Sequence, residues 1–348
     1  MVARRKSDLE GASSLQARKG ADPLPLRSPA GKWIDPFVIS SEDGSGTLPA
    51  KQSDLHRLTD INDAFPSFPL LLMQVQRMPL SFYKMHANGD DFVIVDARTA
   101  QVPITEHLAR KMGDRNRGVG FNQLALLRAC DDADAQVLFW NADGSPLDTC
   151  GSATRGAADI LMRESDTSSV VLRTNRGRLT CTRTATDEIS VSMGQPMLDW
   201  AEIPLARELD TASLPIAGNP AAVSMGNPHC TYFVDDLTAV DVAAVGPALE
   251  KNLLFPARTN VHFVQVINRQ HIRLRIWERG GGVPQGSGSC SCGAAVNGIR
   301  RGLLDDVVRV ECDGGSVTVQ WDGVGAVMLT GPVEMLFSGK LAEGFLNR

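Results

Sequence analysis

The same structural unit occurs twice in this sequence: an apolar strand, a glycine-rich turn and a helix of small residues. The first helix begins at Cys150 and the second at Ser287. Each helix is followed by three short strands that end in a glycine, Gly194 in one copy and Gly331 in the other, and both intervals are 44 positions long. An internal repeat of this kind specifies matching units. The sequence therefore predicts two similar halves, with Ser287 as the counterpart of Cys150.

Short strands alternate with helices throughout both copies, which favours an α+β fold. We expect two pseudo-symmetric domains, each a curved, antiparallel-rich sheet or barrel around its central helix. The predicted boundaries are 79–200 for the N-terminal domain and 201–331 for the C-terminal domain, with a strand in 332–348 returning to the N-terminal domain. Both helix N-termini would then face the interface between the domains.

The first 78 residues differ from the rest of the chain. They are rich in Ser, Pro, Gly, Asp and Lys, and they contain one compact apolar patch, from Phe65 to Val75. Such a composition does not offset the entropy of ordering, so we predict a disordered extension. A short docking helix from Leu70 to Val75 is the alternative. Met78 stands immediately before the first regular strand and is a candidate start site.

Composition excludes several classes of function. The net charge of -5 and the lack of a basic stripe argue against nucleic-acid binding. No apolar run is long enough to span a bilayer, and the charged start at Met1 lacks the apolar core of a secretory signal. The seven cysteines form no regular framework, and Cys290 and Cys292 are too close for a metal knuckle. We therefore expect reduced thiols in a cytoplasmic protein, without a metal site.

Cys150 is the first candidate for chemistry. At a helix start, free backbone N–H groups and the helix dipole lower a thiol pKa and bind anions. The alternative is a small buried residue that packs a tight turn. If the start of the second helix faces that of the first, the two together form a site for a carboxylate. Acid and base groups on either side of an α-carbon would then support inversion of an amino acid without a cofactor. The chain has no glycine-rich phosphate loop that would indicate a cofactor.

Further polar candidates lie on turns, where functional residues concentrate. They are suited to recognising an ammonium and a carboxylate, although each also has a structural interpretation as a turn former or helix cap; they are Asn141, Asn227, Asn260, Glu278 and Arg279. His229 follows Pro228 in a turn and is either a structural hydrogen bonder or a catalytic assistant.

In combination and order, seven stretches between Ser81 and the C-terminus resemble the diaminopimelate epimerase family. They are Met85–Phe92, Gly120–Leu124, Asn141–Ser145, Cys150-Gly151, Met225–His229, Glu278–Gly280 and Gly331–Val333. The resemblance implies a pseudo-twofold, two-domain fold and a pair of catalytic cysteines. It also implies conversion of LL- to meso-diaminopimelate for lysine and cell-wall precursors. The expected partner is a small-molecule amino-acid substrate, and a homodimer is left open as the assembly.

The resemblance also implies residue roles. Catalysis would involve Cys150, Ser287, His229 and Glu278. The distal end of the substrate would contact Asn141, Asn227, Asn260, Glu278 and Arg279, with Gln123 in support, and Asp90 would also line the substrate site. The reacting carboxylate would be held by Gly151, Ser152, Gly288 and Ser289.

Three positions depart from the family pattern. Ser287 stands where the second catalytic cysteine is expected, Asp90 replaces an Asn, and Ser152 replaces an Asn. A shifted replacement by Cys290 is disfavoured because Cys292 matches a later family cysteine without a gap. Since a hydroxyl is a far weaker acid than a thiol, three outcomes stay open. They are a slow epimerase in which Ser287 relays protons through water or His229, an enzyme that acts on another amino acid or through Cys150 alone, and an amino-acid-binding protein without catalysis.

Overall fold

The computed structural model describes residues 80–99 and 103–346, which belong to one compact unit. The predicted N-terminal extension and its alternative helix lie outside these residues. In the described part, no helix is both long and apolar enough to cross a membrane.

Strands dominate the described residues. The sixteen strands are Ser81–Ala87 (β1), Asp90–Ala97 (β2), Gln123–Arg128 (β3), Ala135–Asn141 (β4), Pro146–Leu147 (β5), Ser169–Thr174 (β6), Gly177–Arg183 (β7), Ile189–Ser192 (β8), Ala221–Ser224 (β9), Pro228–Phe233 (β10), Asn260–Asn268 (β11), His271–Trp277 (β12), Val307–Cys312 (β13), Gly315–Gln320 (β14), Met328–Gly331 (β15) and Glu334–Lys340 (β16). The α-helices are Glu106–Gly113 (α1), Gly151–Ser165 (α2), Val242–Glu250 (α3), Gly288–Arg300 (α4) and Glu343–Leu346 (α5). This content confirms the predicted α+β class.

A continuous mixed sheet links the two halves of the chain. Its strand order is β16-β1-β2-β3-β4-β6-β7-β8-β15-β14-β13-β12-β11-β10-β9, with β5 paired to β4 alone. The halves join where β8 pairs antiparallel with β15. Each half then continues through the same sequence of pairings: the parallel pair β2 and β3 corresponds to β10 and β11, and the parallel pair β4 and β6 corresponds to β12 and β13. Strand β16 crosses over to pair with β1.

Strand register gives the exact correspondence between the halves. Phe92 pairs with Gln123 in the first half, and His229 pairs with Asn260 in the second, so equivalent residues differ by 137 positions (229 − 92 and 260 − 123). The same offset relates Cys150 to Ser287, which are the N-caps of α2 and α4. The loop after α4 has one additional residue, which shifts the later strands to an offset of 138 (307 − 169). The match of Gly194 to Gly331 is therefore wrong by one residue, whereas the match of Cys150 to Ser287 is correct.

The two central helices approach each other closely where they begin. A Cβ atom added to Gly288 would lie 3.7 Å from Gly151 Cα and only 2.9 Å from the Leu329 side chain. A Cβ on Gly151 would lie 3.1 Å from the same leucine. Both helices are buried along most of their length in one apolar core that spans both halves. Glycine at the two first positions thus leaves room for the Leu329 side chain where the helix N-termini meet.

Close packing along α2 yields a prediction for Gly156. A Cβ at this position would lie 2.4 Å from the ring of the buried Phe92. Alanine favours a helix over glycine by about 1 kcal/mol, but overpacking a core costs about 1–3 kcal/mol. We expect Gly156→Ala to lower the free energy of unfolding, measured in urea, by about 1 kcal/mol. Gly344→Ala is the control, because nothing lies within 4 Å of that position. An unchanged or higher free energy for Gly156→Ala would show that the core yields easily there.

Candidate active site

A cavity of about 330 Å³ lies where the N-termini of α2 and α4 meet. Thirteen of the fourteen site residues predicted from the sequence line it, and His229 does not. Those in the lining are Asp90, Gln123, Asn141, Cys150, Gly151, Ser152, Asn227, Asn260, Glu278, Arg279, Ser287, Gly288 and Ser289. Pro146, Leu147, Asp148, Thr149, Met193 and Gly226 complete the lining.

Cys150 is almost fully buried at the start of α2. Its sulfur accepts a hydrogen bond from the Ala153 N–H at 3.4 Å and lies 3.7 Å from Gln123 Oε1, to which the thiol donates. Burial and, to a smaller extent, the nearby Asp90 carboxylate together raise the pKa of the Cys150 thiol to about 12, against smaller lowering effects of backbone N–H groups and Arg155. The expected low pKa is therefore wrong for the ligand-free protein, because desolvation outweighs the helix N-terminus. Cys150 is a protonated thiol at neutral pH.

Asp90 lies beside this thiol at the start of β2. It follows a two-residue turn in which Asn88 and Gly89 have φ angles of 53° and 76°, the left-handed conformation that such hairpins require. Asn122 Nδ2 donates to Asp90 Oδ1 at 3.0 Å, and the Ser152 hydroxyl also donates to this carboxyl group. Burial nevertheless raises the Asp90 pKa above its ordinary value.

A buried arginine on α2 was not found by the sequence analysis. Arg155 is 1% exposed, and its Nε and Nη1 atoms have no hydrogen-bond partner among the described residues. Burial lowers the Arg155 pKa, while the Cys150 and Asp90 charges raise it. The available signal was an arginine among the small residues of the first turns of the helix that follows Cys150. This cation partly offsets the negative charge that Asp90 brings to the site.

Ser287 and Glu278 form the corresponding group at the start of α4. Ser287 makes no side-chain capping bond to its helix, and its hydroxyl donates to the Glu278 carboxylate. Burial raises the Glu278 pKa to about 7, with a smaller contribution from Asp90, and the Ser287 hydrogen bond partly opposes that rise. A carboxyl group with such a pKa is suited to accept a proton at neutral pH. Cys290 is fully buried and does not line the cavity, so the structure places Ser287 rather than Cys290 at the second helix start.

Several other lining residues are held by neighbouring turns. Asn141 Nδ2 donates to Ser145 Oγ at 3.0 Å. The Asn260 amide joins two loops, since its Nδ2 donates to the Pro228 carbonyl at 3.1 Å and its Oδ1 accepts from the Arg279 N–H at 3.0 Å. Both ends of the Asn260 amide are therefore engaged by backbone groups in this state.

His229 lies behind Asn227, outside the cavity lining. Its Nε2 is 2.8 Å from Asn227 Oδ1, and its Nδ1 is 3.1 Å from His262 Nε2. In the described residues, His229, His262 and Cys290 bring three potential metal-ligand atoms within 4.8 Å of one another. The hydrogen bond between the two rings uses the nitrogens that face each other. This contact by itself explains why the two histidines lie side by side.

The sequence matches the profile of the family described as diaminopimelate epimerase over residues 82–198 and 221–336. The chain belongs to the diaminopimelate epimerase family. A diaminopimelate epimerase from Acidiphilium cryptum is 44% identical over 269 residues, covering 76% of this chain and 97% of the relative. Membership makes the chain an isomerase of the epimerase type, as the resemblance indicated.

Solved structures support the fold independently. A phenazine biosynthesis protein of the PhzF family from Bacillus anthracis has a TM-score of 0.56 at 18% identity, covering 76% of this chain and 99% of that protein. A probable proline racemase from Agrobacterium radiobacter has a TM-score of 0.56 at 15% identity, covering 76% and 93%. At these identities the likeness shows the fold, and it confirms the predicted architecture.

The Asp90 charge leads to a prediction about the thiol. Asp90→Asn removes the negative charge that helps to raise the Cys150 pKa, so the midpoint of Cys150 alkylation should move to lower pH. Alkylation of Cys150 by iodoacetamide, followed peptide by peptide in mass spectrometry, measures this midpoint. The control is Asp148→Asn, an exposed acid on the same cavity wall that does not contribute to the thiol pKa. A midpoint that stays in place in Asp90→Asn would mean that desolvation alone sets it.

Proposed function

We propose that the chain converts LL-diaminopimelate to meso-diaminopimelate, a step that supplies lysine and cell-wall precursors, without a cofactor. The family and its named relatives support this substrate. The observation that carries the mechanism is the pair of groups at the two helix starts. A carboxyl group with a pKa of about 7 lies at one start, and a protonated thiol lies at the other.

The separation between these two pKa values assigns the acid and the base. Above pH 7 Glu278 is a carboxylate, whereas Cys150, with a pKa of about 12, keeps its proton. Two titratable groups whose pKa values are driven apart by their surroundings form an acid and base pair that is ready before the substrate binds. Cys150 is the acid in this proposal, and Glu278 is the base.

Ser287 transmits the proton to that base. The α-carbon loses its proton to Ser287 Oγ as the hydroxyl proton of Ser287 moves to the Glu278 carboxylate. The electron pair of the broken C–H bond then takes the Cys150 proton on the opposite face. Glu278 ends protonated, Cys150 ends as a thiolate, and exchange with solvent restores both. A free serine alkoxide is never formed, so the low acidity of a hydroxyl does not prevent the step.

The charge that develops on the substrate needs stabilisation. Backbone N–H groups at the first turns of α2 and α4 would bind the reacting carboxylate, since Gly151 and Ser152 line one side of the cavity and Gly288 and Ser289 line the other. Donors placed in advance where negative charge develops are among the strongest contributors to catalysis. The meeting of the helices thus binds the substrate and stabilises its carbanion.

The test is the rate of conversion of LL-diaminopimelate to the meso form, followed by chiral chromatography. The wild-type rate should rise with pH through about 7, because the base must be ionised. Cys150→Ala should abolish conversion, and Glu278→Gln should slow it by about a hundredfold and remove the rise near pH 7. Ser287→Cys should raise the rate, because a thiol is the better acid. Cys130→Ala, a thiol outside the cavity, is the control and should match wild type.

Three results would contradict the proposal. No conversion of either stereoisomer by wild type would exclude diaminopimelate as the substrate. Full activity in Cys150→Ala would exclude the assigned acid. Thermal stabilisation by diaminopimelate with no conversion would instead identify an amino-acid-binding protein.

A further inference from the structure

A continuous chain of buried side chains leads from α4 to the cavity. Asn297 Nδ2 donates to Thr231 Oγ1 at 2.9 Å, and Thr231 Oγ1 is 3.1 Å from His262 Nδ1. His262 Nε2 is 3.1 Å from His229 Nδ1, and His229 Nε2 is 2.8 Å from Asn227 Oδ1. The first four residues are buried, and Asn227 alone lines the cavity.

The partners of Asn297 fix the direction of the first hydrogen bond in this series of side chains. Its Nδ2 also contacts the Ala221 carbonyl at 3.4 Å, and its Oδ1 faces the Arg300 guanidinium at 3.5 Å, so Nδ2 must be the atom directed at Thr231. Thr231 accepts that hydrogen, and among the described residues His262 Nδ1 is the acceptor within reach of its own hydroxyl hydrogen, so Thr231 donates to His262 Nδ1.

The two imidazoles continue the same direction. Burial lowers the His262 pKa to about 3 and the His229 pKa well below its ordinary value, so both rings are neutral, with one donor and one acceptor each. Because His262 Nδ1 accepts from Thr231, its Nε2–H donates to His229 Nδ1. His229 Nε2–H then donates to Asn227 Oδ1. With its oxygen held in this way, Asn227 presents its Nδ2 hydrogens to the cavity.

The other half of the molecule shows that the fold does not need these polar residues. At the offset of 137, the four buried positions correspond to Phe92, Ala125, Ile94 and Ile160 in the first half, all apolar and buried. The strand pairs match as well, since Ile94 is opposite Ala125 as Thr231 is opposite His262. Apolar residues fill the same space in the first half. The need to fill the core therefore does not explain the polar residues at these positions in the second half.

We propose that His229, His262, Thr231 and Asn297 are positioning residues that hold the Asn227 amide with its NH2 group directed at a substrate carboxylate. This inference rests on the proposed function, because it identifies how one side of that site selects its ligand. The position equivalent to Asn227 in the first half is Asp90, a hydrogen-bond acceptor. The two pseudo-symmetric positions therefore offer opposite hydrogen-bonding character, a donor at Asn227 and an acceptor at Asp90. This difference suits a substrate group that carries both a carboxylate and an ammonium.

Substitutions within this series of side chains test the positioning role, because a loss of positioning should change KM more than kcat. His229→Leu removes the donor to Asn227, so KM for LL-diaminopimelate should rise about tenfold, with kcat within about threefold of wild type. His229→Gln, whose amide can donate to the same oxygen, should restore KM to within about threefold. Thr231→Val removes one hydroxyl far from the cavity and should raise KM about threefold or more. Ile94→Val, at the equivalent apolar position, is the control and should leave both constants unchanged.

A hundredfold fall in kcat in His229→Leu at unchanged KM would show that His229 moves the proton itself and would overturn the positioning role. Unchanged KM and kcat in both His229→Leu and Thr231→Val would show that these side chains only support the structure, and would also overturn the positioning role.

Imidazole tautomers provide a readout that does not depend on turnover. In ¹⁵N-labelled wild-type protein, long-range ¹H–¹⁵N correlations should show His229 and His262 both neutral and both protonated at Nε2. A charged ring, protonation at Nδ1, or one equivalent of zinc in the purified protein would overturn the proposal. If the tautomers are as expected but diaminopimelate is not converted, the proposed substrate fails while the orientation of Asn227 stands.

Discussion

The structure depends on the close approach of two helix N-termini. Gly151 and Gly288 meet beneath Leu329, where an added Cβ on either residue would press against the Leu329 side chain. The surrounding sheet supports this arrangement, because β8 and β15 join the halves and β16 crosses from one half to the other. The first residues of both helices consequently line one cavity, and a carboxylate bound there would bring its α-carbon between Cys150 and Ser287.

Within this symmetric frame, burial makes the two sides chemically different. Desolvation raises the pKa of both Cys150 and Glu278, but to about 12 for the thiol and about 7 for the carboxyl group. The buried charges are also unequal, since Arg155 and Asp90 lie beside Cys150, whereas two neutral imidazoles lie behind Asn227. A fold built from a repeat can therefore support one acid and one base, because the two helix starts carry different ionisable groups whose raised pKa values lie on either side of neutral to alkaline pH.

Sequence reasoning predicted the fold and the cavity lining well, because the repeat and the turn motifs are local signals. It identified Cys150 and Ser287 as equivalent helix starts. It also matched Gly194 to Gly331, which differs by one residue from the correspondence that the strand register gives. It failed where the outcome depends on burial: the Cys150 pKa is raised rather than lowered. His262 was missed because its contact with His229 joins neighbouring strands whose pairing depends on tertiary structure.

The central claim is that different groups act on the two faces of the α-carbon. Its most direct test is early conversion of LL-diaminopimelate in ²H₂O, with mass spectrometry of both product and remaining substrate. If Glu278 removes the proton through Ser287 and Cys150 delivers a deuteron from solvent, the product carries one deuterium while the recovered substrate stays unlabelled. Equal deuterium in product and recovered substrate from the start would mean that one group serves both faces, and would contradict the account.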